Sequence, residues 1–246
     1  MDTICYNFMP VLDWSRTDLK VTFRDDSITT KFESKVFAAF DLFILNRPNA
    51  EKDYSDRQLK EAEIYYKSLN EKDKDTLTNT ILLGFPGSLE SYSLEDFRTA
   101  VNEYQSISED EIIHNLQLFI EEIIPVAEES GVLMAIHPDD PPWPLLGLPR
   151  VVTTEKNISQ ILSAVNSPAN GLTLCTGSLG ANIDNDIIKI AEMFAPRINF
   201  VHLRNLTRNS AGDFMEDYHL NGEIDLYNVM RILLLEQKRR IERKEK

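Results

Sequence analysis

The chain has 246 residues, 42% hydrophobic and 27% charged, which is the make-up of an ordinary globular protein with room for one large core or two small ones. Its 40 acidic residues exceed the 26 basic ones by 14, and the bases form no stripe away from the C-terminus, which speaks against nucleic acid or an anionic membrane as partner. Two distant cysteines argue against a disulfide framework. With no basic leader and no apolar run of membrane-spanning length, since Asp41 interrupts residues 36–45, the expected location is the cytoplasm.

In chain order, residues 4–8 read as a strand that Pro10 stops, and the polar and aromatic residues 11–18 read as a loop over a site. From Phe32 to about Gly131 the pattern is helical, with Phe37, Phe40, Ile44 and Leu45 on one apolar face. Ser55 with Gln58, Ser93 with Asp96, and Ser108 with Glu111 each have the spacing of a helix start capped reciprocally. Ile112, Leu116, Phe119, Ile120, Ile123 and Ala127 line one side of the last of these helices. Pro125 is expected to kink it and Gly131 to end it. Strands at 132–137, 172–175 and 198–203 then alternate with helices at 154–165, 184–194 and 224–243, the signature of parallel βαβ units.

The three later strands end in His137, Cys175 and His202. These lie 38 and then 27 positions apart, against about 31 for one unit of a (β/α)₈ barrel of ordinary size. All three are therefore expected on one rim, the carboxyl ends of neighbouring strands, where α/β sheets keep their ligands. Imidazole and thiolate are common ligands of first-row divalent metals. The competing reading makes Cys175 a small buried hydrophobe and the histidines satisfied core residues. His219 faces the same rim as a substrate contact or a polar helix entry. His114, among acids, reads as solvated surface, and Cys5 as core. Asp139 and Asp140 suit either a role behind a ligand histidine or the turn before Pro141. Arg16, Arg150 and Arg204 follow rim strands, where an arginine fork can grip a carboxylate or form a surface ion pair. Cys175-Thr-Gly-Ser-Leu-Gly180 is a weak match to a phosphate cradle.

Cys5-Tyr-Asn-Phe-Met-Pro-Val-Leu-Asp-Trp-Ser-Arg-Thr-Asp-Leu19, His137-Pro-Asp-Asp-Pro-Pro142, Leu146-Gly-Leu-Pro-Arg150, Cys175-Thr-Gly-Ser178 and His202-Leu-Arg204 resemble the mannonate dehydratase family from about Ile4 onward. The resemblance implies a xylose-isomerase-like TIM (β/α) barrel, here partial, forming one domain over 1–246 with a helical insertion at about 32–106 after the first strand. It implies dehydration of D-mannonate to 2-keto-3-deoxy-D-gluconate in hexuronate breakdown, with Mn²⁺ or Fe²⁺ held by His137, Cys175 and His202. Asn7, Arg16, Arg150, Arg204 and His219 fall to the substrate side, and a homo-oligomer is compatible with it. The family's fourth ligand, an aspartate in Arg-Pro-Asp-His-Gly, and its acid/base histidine and tyrosine have no match up to Lys246. The expectation is an internal piece of the barrel with no catalytic acid/base residue of its own and no measurable turnover. The alternative is a non-catalytic remnant that binds metal or sugar acid, or that oligomerises.

Overall fold

The computed structural model describes residues 2–23, 25–85 and 92–244. Its parallel sheet has four strands, β1 (Thr3–Tyr6), β4 (Leu133–Ile136), β5 (Asn170–Cys175) and β6 (Ile198–His202), side by side in that order. Every residue of β5 is buried, as expected of an apolar strand flanked by parallel neighbours. β1 and β6 are the edges. Cys5, expected in the core, is exposed because β1 has a neighbour on one side only; its Sγ lies 3.1 Å from Thr173 Oγ1. Helices α6 (Glu155–Ala164), α8 (Ile187–Phe194) and α9 (Leu226–Arg243) alternate with these strands, and the short α7 (Thr176–Ala181) starts directly at the end of β5. This half-barrel of parallel strands and helices is the fold class read from the sequence.

Between β1 and β4 the chain makes β2 (Asp18–Thr22), β3 (Ile28–Phe32), α1 (Ser34–Ala39), a π-helical turn at Phe40–Leu45, then α2 (Asp56–Ser68), α3 (Glu71–Leu82), α4 (Leu94–Tyr104) and α5 (Glu109–Glu129). Residues 86–91 of the expected helical stretch lie outside the described residues. The serine-led capping boxes at Ser55, Ser93 and Ser108 all form, and Asn70 with Asp73 makes a fourth that the sequence reading passed over. Replacing Asn70 by alanine orphans the Asp73 amide at the start of α3. It is expected to lower stability by about 1 kcal/mol, read as a modest fall in thermal midpoint. Pro125 lies inside α5, which nevertheless continues to Glu129.

A second sheet was not anticipated. β2, β3, β8 (Phe214–Asp217) and β7 (Asn205–Arg208) form an antiparallel sheet in that order, joining the start of the chain to the segment after β6. Phe32 and Phe214, paired in register, stack at 5.5 Å between ring centroids, and Trp143 meets both edge-on. Each such buried ring removes enough apolar surface to stabilise the junction by about 2 kcal/mol. Residues 11–17 form the expected loop, but Val11, Leu12, Ser15, Arg16 and Thr17 in it are buried. Arg16 and Thr17 bond Thr30 and Lys31 of β3, while Leu12 O and Asp13 N bond Arg150 and Gly84. No helix among the described residues is long and apolar enough to cross a membrane.

Candidate metal centre

The register of the parallel sheet decides what meets at the rim. Cys175, the last residue of β5, is directly opposite His202, the last of β6. His137 follows β4 by one residue, and its backbone amide donates to Tyr6 O of β1, holding the strand end in line. One donor atom from each of His137, Cys175 and His202 lies within 4.8 Å of the others, and Cys175 Sγ is 3.4 Å from His202 Nδ1. A tetrahedral ion bonded at about 2.0–2.3 Å holds nitrogen and sulfur donors about 3.5 Å apart, so the spacing fits a first-row divalent cation. Burial grades from Cys175, fully enclosed, through His137 to the exposed His202, which leaves one side of the cluster open.

His137 Nδ1 is 2.7 Å from Pro138 O. A carbonyl only accepts, so Nδ1 carries a proton, and it is Nε2 that a metal would take once its own proton is lost. Burial pulls the His137 pKa down, but the Cys175 sulfur, the Pro138 carbonyl and the Asp140 charge outweigh it and leave the pKa raised. Burial pushes the Cys175 thiol up. The imidazoles of His137 and His202 and the nearby Arg204 charge outweigh that and hold it well below the usual thiol range. The electrostatics around Cys175 thus favour a thiolate, the form that binds metal.

Around this cluster the arginines expected to face substrate are tied into the fold. Arg16 is buried and grips Asp140 with Nη1 and Nη2, both at 2.9 Å, while Nη2 also reaches Glu216 at 2.9 Å and Nε donates to Thr30. Arg204 donates to Asp140 at 2.8 Å and to Glu216 at 3.1 Å. Asp140 is therefore the centre of a buried clamp joining the rim to the antiparallel sheet. Arg150, buried, donates to the carbonyls of Leu12 and Pro141 and so ties two rim loops together. Asp139 accepts from the Val152 amide, and burial pushes its pKa up to about 6. Asn7 is exposed just beyond β1 and donates to Asp13. His219 is exposed in the turn after β8, outside the three-residue cluster, and its carbonyl accepts from Asn205. Sequence reasoning missed Glu216 as a neighbour of the site, since it sits on a strand with no local signal. Ser178 stood in a motif the sequence singled out, but its role shows only through its partners.

A parallel β/α sheet with imidazole and thiol donors on its carboxyl rim defines a β/α-barrel-type protein with a candidate metal centre. The D-mannonate dehydratase (UxuA) family model matches residues 1–246, and the chain belongs to that family. It is 50% identical over 241 residues to a mannonate dehydratase of Marinomonas sp. (strain MWYL1) and 47% identical to one of Chromohalobacter salexigens. Each match covers 98% of this chain and 62% of the relative, so the chain spans somewhat under two thirds of their length. The crystal structure of mannonate dehydratase from Streptococcus suis serotype 2 aligns with a TM-score of 0.69 at 31% identity, covering 96% of this chain and 55% of that one.

Proposed function

We propose that His137, Cys175 and His202 hold a divalent cation, Mn²⁺ or Fe²⁺, at a site for dehydrating D-mannonate to 2-keto-3-deoxy-D-gluconate, a step of hexuronate breakdown. The convergence of these three donor atoms from separate strand ends is the observation that carries the reading. In the reaction C2 loses a proton beside a carboxylate and C3 loses hydroxide; together these are the water released, and the enol left behind becomes the 2-keto product. A divalent ion bound there would supply Lewis-acid stabilisation of the negative charge that builds on the carboxylate side of the substrate.

The chain's own residues set the stage for that chemistry. Pro138 holds the His137 Nδ1 proton, which leaves Nε2 for the cation, and β5 with β6 fixes Cys175 beside His202. Asn7 and His219, both exposed, are the candidates for substrate contact, while Arg16, Arg150 and Arg204 act from within the fold by holding the rim loops. Among the described residues the cluster has three donors, all committed to the cation. The family resemblance puts proton transfer at C2 and C3 on a histidine and a tyrosine that have no match in these 246 residues, so this chain is expected to bind cation without turning over D-mannonate.

Calorimetric titration with Mn²⁺ tests the site. One equivalent is expected to bind the wild-type chain, and His137→Ala to weaken binding by at least about 100-fold, since losing a ligand costs no less than losing the partner behind one. Equal binding by both proteins overturns the site, and robust D-mannonate dehydration by the chain alone overturns the expectation of no turnover.

A further inference from the structure

The loop Cys175-Thr-Gly-Ser178 holds its polar atoms inward, so the phosphate-cradle resemblance has no exposed surface to act through: Thr176, Gly177 and Ser178 are all buried. Each has an internal partner. Thr176 Oγ1 donates to Arg204 O at 2.7 Å and accepts from Arg204 N at 2.9 Å, binding the loop to the chain just past His202. Gly177 lies under the Arg204 side chain, where an added Cβ would come within 2.1 Å of Arg204 Nε and 3.0 Å of Arg204 Cβ. Ser178 approaches the Cys175 sulfur twice, through its hydroxyl at 3.1 Å and its amide at 3.5 Å.

The direction of the hydroxyl bond follows from Arg204. Arg204 Nη2 lies 3.3 Å from Ser178 Oγ, and a guanidinium has only donors. Ser178 Oγ therefore accepts from Arg204, which leaves its single proton for Cys175 Sγ. Arg204 is in turn held by Asp140 and Glu216. A continuous chain of donors thus ends on one side of the sulfur, with His202 Nδ1 at 3.4 Å as a further neighbour.

We propose that Ser178 is a positioning residue for the Cys175 sulfur, with Arg204 polarising its hydroxyl, so that the sulfur meets a cation in one orientation and with reduced electron donation. This rests on the cation-binding reading above, and it explains why a glycine and a serine stand at these two places after the cysteine. Partners behind a metal ligand fix its geometry and tune its donor strength in just this way.

The probe is Co²⁺ added to the full chain, whose thiolate-to-cobalt charge-transfer band in the near ultraviolet reports on the sulfur directly. Wild type is expected to show the band and Cys175→Ser to lose it. Ser178→Ala is expected to shift the band to longer wavelength, because a sulfur without its donor is a stronger electron donor, and to weaken Co²⁺ binding by about 10-fold, because the loss of the held orientation outweighs that gain. Ser178→Thr, which keeps the hydroxyl, is expected to restore both. Should the alanine variant not fold, Ser178→Gly, which also lacks the hydroxyl, is expected to shift the band in the same direction. A band and affinity unchanged in Ser178→Ala, or unchanged in Ser178→Gly where that variant is used, overturn the proposal while leaving the metal centre standing. A wild-type chain with no band, or with a band that survives Cys175→Ser, overturns the metal centre itself and the proposal with it.

Discussion

Asp140→Ala is expected to lower folding stability by about 3–5 kcal/mol, measured by urea unfolding, because it strands two guanidinium groups in the interior. The Arg16 side chain is 3% exposed and Arg204 14%, and Asp140 holds the first with both oxygens and the second with one. Without it Glu216, 29% exposed, is the one acid among the described residues left pairing both guanidinium groups. Glu216→Gln removes a wetter partner and is expected to cost only about 1 kcal/mol. The pH dependence has a definite sign. Burial pushes the Asp140 carboxyl up, but the Arg16 and Arg204 charges outweigh it and hold the pKa well below the usual carboxylate range. A depressed folded-state pKa contributes stability that is fully present above the unfolded value of about 3.9 and is lost as pH falls below it. Asp140→Asn should therefore lose stability at neutral pH and show a flatter acid limb than wild type. A variant within 1 kcal/mol of wild type at pH 7 with an unchanged acid limb would sink this account. Arg204 also bonds Ser178, so Asp140→Ala is expected to disturb the Cys175 sulfur as well, linking clamp and rim.

How much of this was readable in the residues depends on the range over which each signal acts. The parallel strands were legible because an apolar run ending in His, Cys or His is a local pattern, and strand–helix alternation fixes which ends share a rim. The helix starts at Ser55, Ser93 and Ser108 were legible for the same reason, as a cap and its N3 partner are three residues apart. The antiparallel sheet was not. Its central pair brings Phe32 against Phe214, far apart in the chain, and strands such as Asn205–Arg208, two buried residues followed by two partly buried ones, are too short to show a period of two. Side-chain commitment was equally hidden. Arg16 and Arg150 stand in motifs that suit a carboxylate ligand, yet their partners are Asp140 and two backbone carbonyls, and only the fold reveals those pairings. The Asp139 and Asp140 alternatives resolve differently for the two neighbours, one bonding the Val152 amide and the other two arginines. Neither choice is written in the dipeptide.

Arg47→Met is the counterpart of the Asp140 variant in the helical part, and comparing the two separates stability from the site. Asp41, fully buried in the π-helical turn, accepts from Arg47 Nε at 2.8 Å and Nη2 at 2.7 Å and from the Tyr54 hydroxyl at 2.8 Å. Arg47 Nη2 also reaches Asp53 at 2.6 Å, and Gly147, at φ +69°, lies where a Cβ would come within 2.7 Å of Arg47 Nη1. The guanidinium therefore ties the π-helical turn to the segment before α2, with the loop around Gly147 packed against it. Removing it leaves a buried carboxylate with a single hydroxyl partner, at an expected cost of about 3–5 kcal/mol in urea unfolding. In Asp41→Asn/Arg47→Met the buried charge is gone and the Tyr54 hydroxyl keeps an acceptor, so at least half of that loss should return. Co²⁺ affinity of the folded Arg47→Met chain should stay within about twofold of wild type, since all three ligands ride on β4, β5 and β6 and none touches this cluster. A fall in affinity as large as that of the Asp140 variant would show that the helical segment, and not only the parallel sheet, holds the rim in place.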